Sequence, residues 1–295
     1  MKTNNITAKV VQDSIANNVR ITTLELEYPR FIHAEVLTHR QFSRNSASSR
    51  AVPVDDMLQL VQANPAEPVF WGRAQSGMQA REEVDDSQVA ITYWNAARYS
   101  ALDYAQTLKG LNLHKQIVNR ITEPFQMIRV VLTATEWSNF FELRDHADAQ
   151  PEIQALAKAM GKAFLSSKPM QLHAGDWHVP YVTRQQDEAG QVFYGDDTVL
   201  DRASARLISA SCCAQVSYRL ADRSLEKAER IAKRLLQARP WHASPFEHQA
   251  TPMRSGSFLD IEPGVTHMDT LNQLWSANFR SWIQHRQLLE QAEIS

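Results

Sequence analysis

The sequence predicts an α+β fold, and three observations carry that expectation. Residues 6 to 28 read as two strands, because Leu24, Leu26 and Tyr28 alternate with Glu25 and Glu27 at the two-residue period of a half-buried strand. Most longer stretches after them are helical, notably 85 to 113, 151 to 165, 202 to 218 and 225 to 239. The chain has 295 residues, 43% of them hydrophobic and 22% charged, which is enough apolar material for one large or two modest cores. The expected organisation is one domain over 1 to 295, with an irregular insertion at 55 to 85 and a helical extension at 255 to 295.

Taken in order, Ile6 to Val11 forms the first strand, and Asn17-Asn18 supplies turn chemistry before the second. Pro29 stands where a helix begins, and a helix from Phe31 to Phe42 buries Ile32, Val36 and Leu37. Residues 52 to 90 are irregular, interrupted by Pro53, Pro65, Pro68, Gly72 and Gly77. The stretch 115 to 133 carries Arg120 and Arg129 and is broken at Pro124. One helix ends near His146, and Pro151 starts the next, since proline inside a helix costs about 3 kcal/mol. Residues 166 to 200 are loop or hairpin, Ser224 caps the helix from 225 to 239, and Pro240 stops it. A last helix runs from Leu271 to Gln291.

Composition excludes several classes. The formal charge of −2 gives no global field for nucleic acid, so a polyanion must be met by a local patch. No run approaches the roughly 18 apolar residues of a membrane span, and Met1 to Asn5 lacks the apolar core of a signal peptide. Cys212 and Cys213 are adjacent and build no disulfide framework, which points to a reduced, cytoplasmic setting. Flanked by Ala, Ser and Val, they read as small buried residues rather than nucleophiles. His173 and His178 lack the companions of a zinc site, and no metal is expected.

The stretch Leu37 to Arg50 stands out. It holds Arg40, Arg44 and Arg50, the hydroxyls of Ser43, Ser46, Ser48 and Ser49, and the amide of Asn45, with no acid. Guanidinium forks and short hydroxyls suit a phosphate or pyrophosphate, and turns rich in Ser and Asn gather backbone N–H groups around anions. A solvated loop or an RNA-touching segment are the plainer readings. The RNA reading suffers from the lone aromatic, Phe42, since readers of single strands interleave several.

The pattern His39-Arg-x-x-Ser-x-Asn-x-x-Ser-x-Arg50 resembles the signature of the flavin-dependent thymidylate synthases. Two further segments resemble the same family: Asn139-Phe-Phe-x-Leu-Arg144 followed by Ala149-Gln-x-Glu-Ile-Gln154, and His242-Ala-Ser-Pro-Phe-Glu-His248 preceded by Ser209 to Tyr218. Their order is unusual. In the usual member the Ser-Pro-Phe-Glu-His element comes first, whereas here it comes last, as in a circular permutation or in phage and prophage relatives. A permutation leaves a fold intact when the old termini lie close together.

The resemblance implies an α+β subunit with helices packed on an antiparallel or mixed sheet, a homotetramer with sites at subunit interfaces, and FAD. It implies reductive methylation of dUMP to dTMP, with methylenetetrahydrofolate as carbon donor and NADPH as reductant. His39, Arg40, Asn45, Ser217, His242, Ser244 and Asn139 would contact FAD. Ser48 and Arg50 would hold the dUMP phosphate with help from Arg120, and Arg144 would face the pyrimidine, where a fixed cation stabilises developing negative charge. Arg144 and Ser48 are the residues expected at the chemistry. Glu247 and His248 are expected to hold their own element together. The sequence departs from the family pattern at Thr38, Asp148 and Gln215, which lowers the positive charge available to cofactor phosphates, and at Ser46, which removes an acceptor near the nucleotide. Two other readings fit these departures: a flavin-dependent pyrimidine deoxynucleotide hydroxymethylase, and a non-catalytic nucleotide-binding homologue.

Overall fold

In a computed structural model of the chain, the structure describes residues 5–217, 222–254 and 261–294. The first two strands, β1 (Thr7–Ala16) and β2 (Val19–Pro29), form the hairpin read from the sequence. Asn17 and Asn18 turn it with φ of 51° and 58°, the left-handed pair that a two-residue hairpin requires and that Asn tolerates. A single 3₁₀ turn (Arg30–Ile32) leads to a short helix α1 (His33–Leu37), then strand β3 (Ser43–Ser46) and helix α2 (Val54–Ala63). Helices α3 (Ser87–Gly110) and α4 (Lys115–Val118) precede strand β4 (Met127–Ala134), helix α5 (Ser138–Arg144) and helix α6 (Pro151–Ser166).

Short strands follow: β5 (Met170–Gln171), β6 (Arg184–Gln186) and β7 (Val192–Tyr194). Next come helices α7 (Arg202–Ala214) and α8 (Leu225–Gln237), and a 3₁₀ turn (Ser244–Glu247). The last elements are β8 (Ala250–Pro252), β9 (His267–Met268), β10 (Leu274–Ser276), β11 (Phe279–Arg280), β12 (Trp282–Gln284) and α9 (His285–Ile294).

The main sheet has the order β3-β4-β2-β1-β5, antiparallel except for the parallel β1–β5 edge. Because strand side chains alternate, β2 sends Leu24, Leu26 and Tyr28 into one core and Ile21, Thr23, Glu25 and Glu27 to the other face. The first core joins Phe42, Trp137 and Phe140 to Ile153, Leu156 and Met160 of α6. Each such fully buried side chain contributes about 1.5–3 kcal/mol. The second core joins Ile21 to Trp177, Val179, Ala205, Ile208, Cys212, Phe279 and Trp282, so α7 covers that face.

Five expectations are corrected, and β4 occupies a stretch to which the sequence assigned no element. The helix from 31 to 42 shrinks to α1, and the segment read as a Ser/Arg loop carries β3, which pairs Ser43–Ser46 with Thr133–Val130 of β4. The stretch 115 to 133 contains β4, a central strand whose Val130, Val131 and Leu132 are buried and therefore show no alternation. Part of the irregular 52 to 90 is α2, signalled by Asp55 and Asp56 in its first turn and by buried Met57 and Val61. The tail helix from 271 to 291 is instead three short strands followed by α9. The helix from 202 stops at Ala214, and Tyr218 lies outside the described residues. No helix among the described residues is long and apolar enough to cross a membrane.

Candidate functional site

Three clusters form along the edge strand β3 and the turns at its two ends. At its entrance, Arg144, the last residue of α5, reaches back to the end of α1. Its Nε donates to His39 Nε2 at 2.9 Å, its Nη2 to Thr38 Oγ1 at 3.2 Å, and its Nη1 to Glu35 Oε2 at 3.4 Å. A guanidinium only donates, so His39 Nε2 carries no proton and the ring hydrogen sits on Nδ1. Burial and the adjacent Arg144 charge both hold the His39 pKa below its usual value, which keeps the ring neutral. Phe42 stacks on it at 5.8 Å and Phe140 meets it edge-on at 4.9 Å. His39 and Arg144, far apart in sequence, are thus one unit. Thr38, a departure from the family pattern, belongs to it.

In the middle, Asn45 joins the first motif to the last. Its amide lies 3.2 Å from His248 Nε2 and faces the carbonyls of Arg44 at 3.0 Å and Ser244 at 3.1 Å, the place for its nitrogen. His248 is fully buried, and burial pushes its pKa down to about 3. Gln284 of β12 seals the join, donating to Ser43 Oγ and to the Glu247 carbonyl, both at 3.1 Å. Asn278 also donates to the Gln41 carbonyl at 3.0 Å. The tail therefore fixes the start of β3, a contribution that two- and three-residue strands do not announce in the sequence. Arg286 pairs with Glu247 and Glu290, as part of a cleft that Arg40 and Arg44 also line.

At the exit, the Ser48 backbone N–H donates to Ser217 Oγ at 3.0 Å, and Ser48 Oγ accepts from the Arg50 N–H at 3.3 Å. Asn119, which the sequence reading did not single out, is buried and donates to the carbonyls of Ser49 at 2.7 Å and Val52 at 3.1 Å. Lys115 Nζ donates to the Ala51 carbonyl at 2.9 Å. Helix α4 thus buttresses the Ser48–Arg50 turn. Arg120 beside it is exposed and pairs with Glu123 at 3.2 Å.

Asn139, His242 and Ser244 have exposed side chains, and among the described residues the guanidinium groups of Arg40 and Arg50 meet no partner. Those two arginines are thus available to an anion from outside the chain. Trp241 Nε1, next to His242, is a buried donor without an acceptor among the described residues. Two of the other departures also find partners. Gln215 is buried and bonded to Ser211 and to the backbone of Asp222, and Asp148 lies 3.7 Å from Arg81. Cys212 and Cys213 are buried, and burial pushes the Cys212 thiol up to about 11.

Compared with solved structures, the chain is similar to a UMP/dUMP methylase, PolB, from Streptomyces cacaoi bound with 5-Br dUMP. The identity is 17% and the TM-score 0.47, over 55% of this chain and 90% of that one. It is also similar to a flavin-dependent thymidylate synthase from Helicobacter pylori complexed with FAD and dUMP, at 21% identity and a TM-score of 0.34, over 49% and 67% of the two chains. No curated protein sequence matches it significantly. Residues 5–170 match the thymidylate synthase complementing protein family, and the late element at 244–248 lies beyond that span yet packs on β3. The chain belongs to that family, the flavin-dependent thymidylate synthases that its motifs resemble.

Proposed function

We propose that the chain is an FAD-dependent thymidylate synthase that methylates dUMP to dTMP with methylenetetrahydrofolate and NADPH. We further propose that it acts as a single-domain subunit of a homotetramer, with sites where subunits meet. The observation that carries this reading is the convergence on β3. Segments 39–50, 139–144, 217 and 242–248, scattered in a permuted order, are brought to one edge strand and its flanking turns.

In this reading the cofactor is held by His39, Arg40, Asn45, Asn139, Ser217, His242 and Ser244, and bound flavin supplies the hydride. The unpartnered Arg40 and the orphaned Trp241 N–H fit a group bearing phosphates and ring acceptors. Ser48 and Arg50 hold the dUMP phosphate, with Arg120 at the margin of the same turn. Arg144 faces the pyrimidine. Its three contacts to His39, Thr38 and Glu35 fix the guanidinium in advance, and a preorganised cation stabilises charge developing on the ring without reorganisation. The neutral His39 leaves that cation without a second positive charge beside it.

The visible spectrum of the purified protein, before and after dUMP, tests the proposal. A flavin spectrum that shifts with dUMP supports it. A colourless protein that still binds dUMP points to the non-catalytic homologue. A hydroxymethylated rather than methylated product, by mass, assigns the hydroxymethylase.

A further inference from the structure

A buried hydrogen-bonded chain leaves the site and crosses the sheet. It starts at Asn45 on β3, 3.2 Å from His248 Nε2. His248 Nδ1 lies 2.8 Å from Thr133 Oγ1 on β4, and Thr133 Oγ1 lies 2.7 Å from Thr23 Oγ1 on β2. Thr23 Oγ1 is 2.8 Å from His178 Nε2, and His178 Nδ1 is 2.7 Å from Ser14 Oγ on β1. Arg184 closes the chain, its Nη1 donating to Ser14 Oγ at 2.8 Å. Ser14, Thr23, Thr133, His178 and His248 are all at 0% exposure, so water does not interrupt the chain. Thr23, His178, Ser14 and Arg184 have no part in the functional reading above.

Protons along this chain cannot be placed one at a time. A neutral imidazole has one donor and one acceptor nitrogen, and a hydroxyl donates once. Burial holds His178 well below its ordinary pKa, as it does His248, so both rings are neutral. If His248 donates from Nδ1, then Thr133 donates to Thr23, Thr23 to His178 Nε2, and His178 from Nδ1 to Ser14. Reversing one bond reverses all. The two histidines, on opposite sides of the threonine pair, share one tautomer.

The two ends pull in opposite directions. Arg184 only donates, so Ser14 Oγ accepts from it. The one partner left for the Ser14 hydroxyl proton among the described residues is His178 Nδ1, which favours Nε2–H in both rings. At the other end the Asn45 nitrogen belongs against the Arg44 and Ser244 carbonyls, where its two hydrogens face three acceptors; the nitrogen cannot accept from His248 Nε2, and so favours Nδ1–H in both rings. That end gains two carbonyl hydrogen bonds and the Ser14 end gains one. The chain therefore rests with Nδ1–H in both histidines and the Asn45 oxygen turned away from His248.

We propose that Arg184 is a positioning residue for Asn45. Acting through Ser14, His178, Thr23, Thr133 and His248, it sets how readily the Asn45 amide turns over, and so whether a ligand there meets an acceptor or a donor. The link to ligand rests on the reading that Asn45 touches the flavin. The coupling itself does not.

The test uses full-length protein with ¹⁵N-labelled histidine and no ligand, and reads which ring nitrogen carries hydrogen. Wild type is expected to show Nδ1–H in both His178 and His248; opposite tautomers overturn the proposal. In Asn45→Asp the carboxylate only accepts, so His248 turns to Nε2–H and His178, which the substitution does not touch, turns with it. Adding Thr23→Val leaves the change at His248 and abolishes it at His178. An unmoved His178 in Asn45→Asp with the threonines intact sinks the coupling. Adding Arg184→Met to Asn45→Asp makes the reversal incomplete at both rings, and Arg184→Lys, still a donor to Ser14, restores it; a complete reversal without Arg184 removes that residue from the proposal. Flavin titration of Arg184→Met and Arg184→Lys then reports on ligand, with affinity altered in the first and restored in the second, and unchanged affinity in Arg184→Met breaking the link to the cofactor. A wild type that binds no flavin sinks the functional reading and leaves the tautomer result standing.

Discussion

The two faces of the main sheet are built from the same strands and do different work. On one face Leu24, Leu26 and Tyr28 meet Phe42, Phe140, Ile153 and Leu156 in an apolar layer. On the other, beside the second apolar core around Ile21 and Trp282, Thr23 and Thr133 meet His178 and His248 in a layer that is equally buried but polar. Apolar packing tolerates substitution of one hydrocarbon shape for another, and its energy is roughly proportional to area. A polar layer in low dielectric admits one arrangement, because every donor needs its acceptor. The apolar face makes the fold stable; the polar face fixes which late segment sits on β3.

Acid is expected to separate the faces most strongly. On the polar face His248 and His285 are held down to about 3, with desolvation the main cause in each. Unfolded, each titrates near 6.5, so below that pH the unfolded state binds protons that the folded state refuses. Stability is therefore full above pH 6.5 and lost as the pH falls towards 3, by about 1.4 kcal/mol per unit for each histidine. Denaturant titrations at stepped pH check this, and a flat profile between 6.5 and 4 contradicts it. Replacing His248 with Asn should reduce the slope.

Phe140→Ala attacks the apolar face alone. Truncating a side chain with 2% exposure should cost about 3–5 kcal/mol in urea unfolding while leaving the histidine tautomers as they were. Thr133→Val is nearly isosteric and attacks the polar face alone, stranding Thr23 and His248. The expected loss is about 1–3 kcal/mol, and His178 should become insensitive to changes at Asn45. A neutral outcome would mean that the threonine pair contributes nothing to the fold. The smallest effect lies away from both layers. Asp201 caps α7 by accepting from the Ser204 N–H at 2.8 Å, and Asp201→Ala should lower the melting temperature by less than Thr133→Val does, with the histidine tautomers unchanged.

The apolar face was the legible one. Alternation at Leu24, Leu26 and Tyr28 and the Pro151 start of α6 placed its main elements directly. The motif residues were legible too, though not their grouping: nothing in the sequence says that Arg144 bonds His39. Other features stayed hidden for physical reasons. β4 is buried on both faces and so loses the two-residue period. β3 consists of Ser, Arg and Asn with little strand propensity, and is a strand because β4 pairs with it. The tail turns at Asn272, Ala277 and Ser281 with positive φ and no glycine, so its short strands read as something else. His178 looked like a poor metal ligand because its partners, Ser14 and Thr23, lie 164 and 155 residues away.

The position of β3 at the sheet edge also bears on how the chain is made. Two side chains packed over one of its faces, His248 and Gln284, follow it by 203 residues from Asn45 and 241 from Ser43. At the about 5–20 residues per second of synthesis, that strand waits about ten seconds or more beside nascent chain before its cover emerges. An open edge is a template for pairing with another molecule, and a strand of serines and an arginine is a poor one. The same polar residues that hide this strand from a sequence reading let it stand exposed while the ribosome finishes the rest.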